Sequence, residues 1–132
     1  MDMLTGSCLC GAVKYRIDAP ISSLTHCHCS MCRKAHGAAF ASYVGVPLDA
    51  FHVTEGKDAV AAFHSSETVT RTFCRHCGAN LQFVDSRETE LGVAAGTLDS
   101  ALGVPPQAHI FVASRADWYE IRDGLPQHHE DI

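Results

Sequence analysis

Hydrophobic and polar residues alternate along this chain with the short period of β-strands rather than the 3.6-residue period of helices. Ala12 to Ile17 sets small or apolar residues against polar ones, and Thr68 to Phe73 and Asn80 to Val84 look alike. Phe40 to Val46, Ala59 to His64, Glu90 to Ala95 and Ala108 to Ala113 are short and largely apolar. Most of these runs are about 5 to 7 residues long, the usual length of a strand. The gaps hold Gly45-Val46-Pro47, Glu55-Gly56-Lys57-Asp58, Gly96, Gly103 to Pro106 and Asp123-Gly124, the residue types that turn a chain between antiparallel strands. Two places favour a short helix: Ser30 to Ala38, with Ser30 as N-cap, and a single turn over Asp117 to Ile121. The expected fold is mainly β, with at most short helices. The polar segment 124–132 carries no apolar rhythm and is expected to be flexible.

The chain has 132 residues, 46% hydrophobic and 19% charged, which is enough to bury one core and too little for two, so a single domain spanning 1–132 is expected. A net charge of -5 with no basic cluster argues against nucleic acid as a partner. No apolar run approaches the roughly 20 residues that span a bilayer, so no membrane partner is expected. The N-terminus lacks a basic stretch followed by an apolar one, which points to a cytoplasmic address. Seven cysteines cannot all pair within one molecule, and thiols in a reducing compartment usually bind metal or act in catalysis.

The cysteines fall into three groups: Cys8-x-Cys10, Cys27-x-Cys29-x-x-Cys32 and Cys74-x-x-Cys77. In an extended chain Cys8 and Cys10 face one side, and Cys74 to Gly78 has the spacing of a zinc knuckle, with Gly78 free to take a positive φ. Joined, the two half-sites make a closed, structural four-thiolate zinc site. Cys27, Cys29 and Cys32 then stand alone, and three protein ligands leave a fourth position for water or substrate, as in catalytic zinc sites. Two alternatives remain: closure of the central site by His26, His28 or His36, and a different pairing in which Cys8 and Cys10 join two of the central thiols. His28 lies between two ligands and is expected to point away from the ion. His36, four residues past Cys32, would share its helix face and is the candidate proton carrier or gating ligand. Arg33 and Lys34 could offset thiolate charge or hold an anionic substrate. His109 reads as a core histidine, and the histidines of Gln127 to Glu130 read as part of a loose tail.

Three segments together, Gly6-Ser7-Cys8-Leu9-Cys10-Gly11-Ala12-Val13, Cys27-His28-Cys29-Ser30-Met31-Cys32-Arg33-Lys34 and Phe73-Cys74-Arg75-His76-Cys77-Gly78, resemble the glutathione-dependent formaldehyde-activating enzyme family, the GFA or CENP-V/GFA domain. Gly96-Thr97-Leu98-Asp99, Pro106 to Ile110 and Trp118 look similar to that family too. The resemblance implies a β-tent fold of antiparallel sheets pinned by zinc. It implies two zinc ions per chain, a structural one on Cys8, Cys10, Cys74 and Cys77 and a catalytic one on Cys27, Cys29 and Cys32. It further implies a carbon–sulfur lyase that forms or breaks a thiol–aldehyde adduct such as S-hydroxymethylglutathione. The partner is then a small-molecule adduct, with glutathione the candidate thiol; a homodimer is left open. The competing expectation from another class is a non-catalytic, zinc-stabilised β-tent binding module. A third is metal storage or redox sensing by the central thiols.

Overall fold

The computed structural model describes residues 3–131. Among the described residues ten strands form, in chain order: β1 (Leu4–Ser7), β2 (Lys14–Ile17), β3 (Ser23–Cys27), β4 (Ala41–Pro47), β5 (Phe51–Glu55), β6 (Val60–His64), β7 (Val69–Cys74), β8 (Asn80–Asp85), β9 (Glu90–Ala94) and β10 (Ala108–Ile110). One α-helix, α1 (Ser30–His36), connects β3 to β4. Strands β1-β2-β5 make a small sheet, and β10-β3-β4-β9-β8-β7-β6 make a large one. Every pairing is antiparallel except β10 on β3, which run parallel. No helix among the described residues is long and apolar enough to cross a membrane.

The large sheet has two chemically different faces because side chains alternate along each strand. Leu24, Val44, Val46, Leu91 and Val93 point to one face, joined by Leu81 at the register shift between β7 and β8, and are buried with Val13 and with Tyr15 and Ile17 of the small sheet. Each such side chain contributes about 1.5–3 kcal/mol by leaving water. The other face carries Thr25, Cys27, Tyr43, Phe83 and Arg71. The register brings them into neighbouring rows: Thr25 opposes Tyr43, Cys27 opposes Ala41, and Arg71 opposes Phe83. A Cβ at Gly92 on this face would stand 3.3 Å from Cβ, Cγ and Cδ1 of Tyr43, so a larger residue there would push the tyrosine aside by a few tenths of an ångström.

The strand expectations over 40–46, 59–64, 68–73, 80–84 and 90–95 match β4 and β6 to β9 to within one residue at either end. Three strands carried no usable signal. β1 and β5 are short and part-exposed, and β3 shows no alternation, with two polar residues, Thr25 and His26, in succession between buried Leu24 and Cys27. The expected strand over 108–113 stops at Ile110, because Phe111 turns into a left-handed conformation and a 3-10 turn follows. The expected helical turn over 117–121 is an ordinary turn.

The C-terminal segment, expected to be loose, is tied down across most of its length. Pro126 O accepts from His109 N at 2.9 Å, His128 N donates to His109 O at 2.9 Å, and Glu130 O accepts from Phe111 N at 3.0 Å. It behaves as an added edge alongside β10, held by backbone bonds that need no apolar side chains. Ile132 lies outside the described residues.

Candidate metal centres and cavity

Cys8 directly follows β1, Cys10 sits in the next turn, Cys74 ends β7 and Cys77 lies in the turn before β8. Their four sulfurs lie within 4.8 Å of one another. Cys8 Sγ and Cys10 Sγ are 3.6 Å apart, and Cys10 Sγ and Cys74 Sγ 3.8 Å. Sulfurs about 2.3 Å from a tetrahedral zinc stand about 3.8 Å from each other, so the donor set has the size that such an ion needs. The extended-chain argument for Cys8 and Cys10 gives way to a turn, closed by Gly11 N donating to Cys8 O at 3.1 Å. Gly78 takes φ +79, and its N–H reaches Cys74 O at 2.8 Å. Backbone amides of Ala79 and Cys10 pull the Cys77 thiol down to about 6. Cys8 and Cys74 are buried in the main core.

The second group is built by a strand end and a helix start. Cys27 is the last residue of β3, Cys29 the N-cap of α1, and Cys32 lies in its first turn. Cys29 rather than Ser30 caps the helix: its Sγ accepts from Cys32 N at 3.2 Å. The three sulfurs lie within 4.8 Å of one another, and no histidine nitrogen joins them among the described residues. Hydrogen bonds from the Cys27 and Cys32 thiols hold Cys29 down at about 2, and the same contact with Cys29 pushes Cys27 far up. Three sulfurs this close share protons, and a divalent cation would displace them. Both clusters can therefore hold a metal ion.

His28 points away from the sulfurs, as expected for a residue between two ligands on one side. It is fully buried, and its Nε2 meets His109 Nδ1 at 2.8 Å. His109, also fully buried, reaches Asp123 Oδ2 through Nε2 at 2.8 Å. Phe40 packs against both rings. This His28–His109–Asp123 chain anchors the loop that presents Cys27 and Cys29. Burial, reinforced by the positive surroundings of His109, His26 and two arginines, pushes the His28 pKa down to about 4. The unfolded chain binds a proton at this residue near pH 6.5, before the folded one does. His28 therefore contributes stability that is complete above pH 6.5 and declines by at most about 1.4 kcal/mol per pH unit until about pH 4. An imidazole-nitrogen NMR titration of metal-loaded protein should show His28 neutral at pH 5.5; a charged ring at that pH contradicts the burial argument.

Two residues beside the central thiols carried no motif. Arg71, only 7% exposed, directs Nη1 and Nη2 at Cys32 Sγ, at 3.7 and 3.6 Å. Its Nη1 also donates to the Tyr43 hydroxyl at 3.3 Å, and its guanidinium lies over the Phe83 ring, 5.0 Å from the centroid. Tyr43 Oη stands 3.9 Å from Cys32 Sγ, and burial raises its pKa, so the phenol stays protonated. His36 lies one hydroxyl away from the sulfurs: its Nε2 meets Tyr43 Oη at 3.1 Å. Burial, and then the nearby Arg71 charge, lower the His36 pKa. Arg33 is engaged elsewhere, with Nε donating to Ser114 O at 3.1 Å, so the cation beside the thiols is Arg71. The available signal was an arginine among threonines in β7, at the same alternation as Val69.

A cavity of about 400 Å³ opens directly on Cys27 and Cys32, with Tyr43, Phe83, Gly45 and Gly92 among its walls. That volume suits a small organic ligand. Phe111, at its edge, holds φ +56, a backbone position that costs a bulky residue about 1–2 kcal/mol and is found where structure is constrained around a site. None of the four cysteines of the first cluster lines this cavity.

Two β-sheets carrying one part-buried four-thiol cluster and one three-thiol cluster at a cavity define a mainly β protein with two sites that can hold a metal ion. The model of the family described as "Glutathione-dependent formaldehyde-activating enzyme" matches residues 3–114. The chain belongs to this family. It is 33% identical over 128 residues to a Halomonas elongata protein named "Putative glutathione-dependent formaldehyde-activating enzyme", covering 90% of this chain and 81% of that one. A Schizosaccharomyces pombe protein named as an uncharacterized lyase is 31% identical over 83 residues, covering 59% of this chain and 55% of its own. The crystal structure of a Rhodobacter sphaeroides protein shares the fold with a TM-score of 0.63 at 25% identity, covering 77% of this chain and 97% of that one.

Proposed function

We propose that the protein is a zinc-dependent carbon–sulfur lyase that forms and breaks a thiol–aldehyde adduct at the cavity over Cys27, Cys29 and Cys32, with Cys8, Cys10, Cys74 and Cys77 holding a second, structural zinc. The observation that carries this reading is the cavity itself: it meets two thiols of a three-thiol cluster and none of the four-thiol one. A binding module needs the closed cluster for its fold but has no use for three sulfurs at the base of a pocket. Zinc on three thiolates supplies an electrophilic centre that lowers the pKa of a substrate thiol.

The chain's own groups then manage the proton. In the net reaction the S–C bond forms as the carbonyl π bond breaks, and the proton lost from sulfur is balanced by one gained at oxygen. Tyr43 is the donor to that oxygen. Its own oxygen accepts from Arg71 Nη1 at 3.3 Å, and with His36 in its Nε2–H tautomer it accepts a second bond at 3.1 Å. The phenolic proton is left to face Cys32 and the cavity. Because burial keeps the phenol protonated, Tyr43 donates a hydrogen bond to the developing alkoxide, and solvent, having taken the thiol proton, delivers a proton to that oxygen. His36 is thus a positioning residue behind Tyr43. Arg71 offsets part of the thiolate charge.

Exchange NMR of a thiol with formaldehyde tests this, since it reads the interconversion rate at equilibrium. Acceleration above the spontaneous rate is the expected result, and no acceleration with any of several thiols overturns the proposal. Tyr43→Phe should lower the enzymatic rate by about 10²-fold while leaving metal content and the melting temperature close to wild type. An unchanged rate removes Tyr43 from the chemistry.

A further inference from the structure

The two ends of the large sheet are finished differently. At one end β10 is covered by the segment that follows it, through the bonds of His109 to Pro126 and His128. At the other end β6 pairs with β7 and with no further strand. Ser65 N donates to Val69 O at 3.1 Å and Arg75 N to Ala59 O at 2.8 Å. The antiparallel ladder between them therefore turns the backbone groups of Ala61 and Phe63 toward β7 and those of Val60, Ala62 and His64 outward. No backbone group of the described residues bonds to that outward row. Ala62, Phe63 and His64 are exposed, Phe63 by 61%. A free edge is normally blunted by a charged side chain, a proline or a bulge. Val60 to His64 include no lysine, arginine, carboxylate or proline, and they pair with β7 without a register shift.

We propose that β6 is the contact surface for a second copy of this chain, paired antiparallel about a twofold axis at Ala62. The segment is complementary to itself in that register. Ala62 meets Ala62 of the second copy, Val60 meets His64, and each such pair exchanges two backbone hydrogen bonds. Each Phe63 ring lies over the Ala61 opposite it, on the sheet face that Phe63 shares with Arg71. Just beyond the strand the same register sets exposed Lys57 against exposed Glu67, at both ends of the contact by symmetry. Asp58 falls opposite Ser66, so like charges are not opposed. Neither Lys57 nor Glu67 makes an ion pair among the described residues. An extended segment of an unrelated protein would meet the same backbone groups but not these mirrored charges, and this favours the second copy. The contact is small, so the dimer is reversible and depends on concentration. It stands independently of the chemistry at the thiols.

Sedimentation velocity of the metal-loaded protein should show a monomer–dimer equilibrium between micromolar and millimolar concentration. Ala62→Pro removes an outward N–H and places a ring at the axis, and proline is tolerated at such an edge position because no bond to β7 is lost. That variant should stay monomeric and melt close to wild type. Lys57→Glu and Glu67→Lys, taken singly, bring like charges together at both ends of the contact. Each should weaken the dimer about tenfold at low salt and less at high salt. Mixed in equal amounts, the two variants restore opposite charges at both ends and should recover wild-type affinity as a heterodimer. These exposed positions keep the proposal testable even where Ala62→Pro fails to fold. A protein that stays monomeric up to millimolar concentration, a dimer indifferent to a folded Ala62→Pro, or charge-reversed variants that do not recover on mixing each overturns it.

Discussion

The Cys74→Ser protein is expected to lose one metal equivalent and its folded state together. Cys74 is fully buried in the main core beside Cys8, and its sulfur stands 3.8 Å from Cys10, 64 residues earlier in the chain. This cluster fastens the turn after the small sheet's first strand to the β7–β8 hairpin of the large sheet. It closes a long loop, whose entropy the unfolded chain would otherwise keep. Structural zinc in small domains supplies about 10–16 kcal/mol, as much as the whole stability of a typical domain. Removing one ligand should cost at least about 5 kcal/mol and lower the melting temperature by roughly 20 °C, or abolish the transition. The exposed Cys10→Ser variant should show the same loss in milder form, because no core side chain is disturbed with it. Circular dichroism melts paired with metal analysis check this. Two metals and an unchanged melt in Cys10→Ser would show that the cluster does not hold the fold.

The sequence made the two thiol clusters readable and left their surroundings dark. Cysteine spacing is local, so the two-plus-three-plus-two grouping of the thiols could be read without knowing the fold, and the structure assembles the groups as spacing suggests. Most strands of the large sheet were equally local in signal, because their apolar face is continuous. β3 was not, although it carries Cys27: Ser23, Thr25 and Cys27 line the cavity, and this mix of polar and thiol side chains hides the alternation that marks a strand. Tyr43 and Arg71 sit 28 residues apart and meet only because β4, β9, β8 and β7 lie side by side. No spacing rule connects residues brought together by a sheet of that breadth. Helix geometry sets His36 on the Cys32 side of α1 but could not foresee the tyrosine standing between it and the thiols. The tail was misread for a related reason. Its order comes from backbone bonds to β10, and side-chain patterns do not report those.

Cys27→Ser should separate chemistry from folding in the way Cys74→Ser cannot. Cys27, Cys32 and Ala41 form a small apolar cluster distinct from the main core, joined by Tyr43, Ile110 and Phe111 rather than by the intersheet residues. Loss of a metal there leaves the two-sheet core and its four-thiol clip in place. The variant is expected to hold one zinc instead of two, to melt within a few degrees of wild type, and to return adduct exchange to its spontaneous rate. Cys29 offers an internal control, because its sulfur also caps α1 by accepting from Cys32 N. Cys29→Ser keeps an N-cap acceptor and should resemble Cys27→Ser in both readouts, whereas Cys29→Ala should lose about 1 kcal/mol more through the uncapped helix. If Cys27→Ser instead unfolds as completely as Cys74→Ser, the central metal is part of the scaffold and the reactive centre must be sought elsewhere. If it folds, retains both metals and still accelerates exchange, the three-thiol cluster is not the site at all. Only the combination of one metal lost, fold kept and activity gone is compatible with a cavity whose base is a reactive centre rather than a rivet.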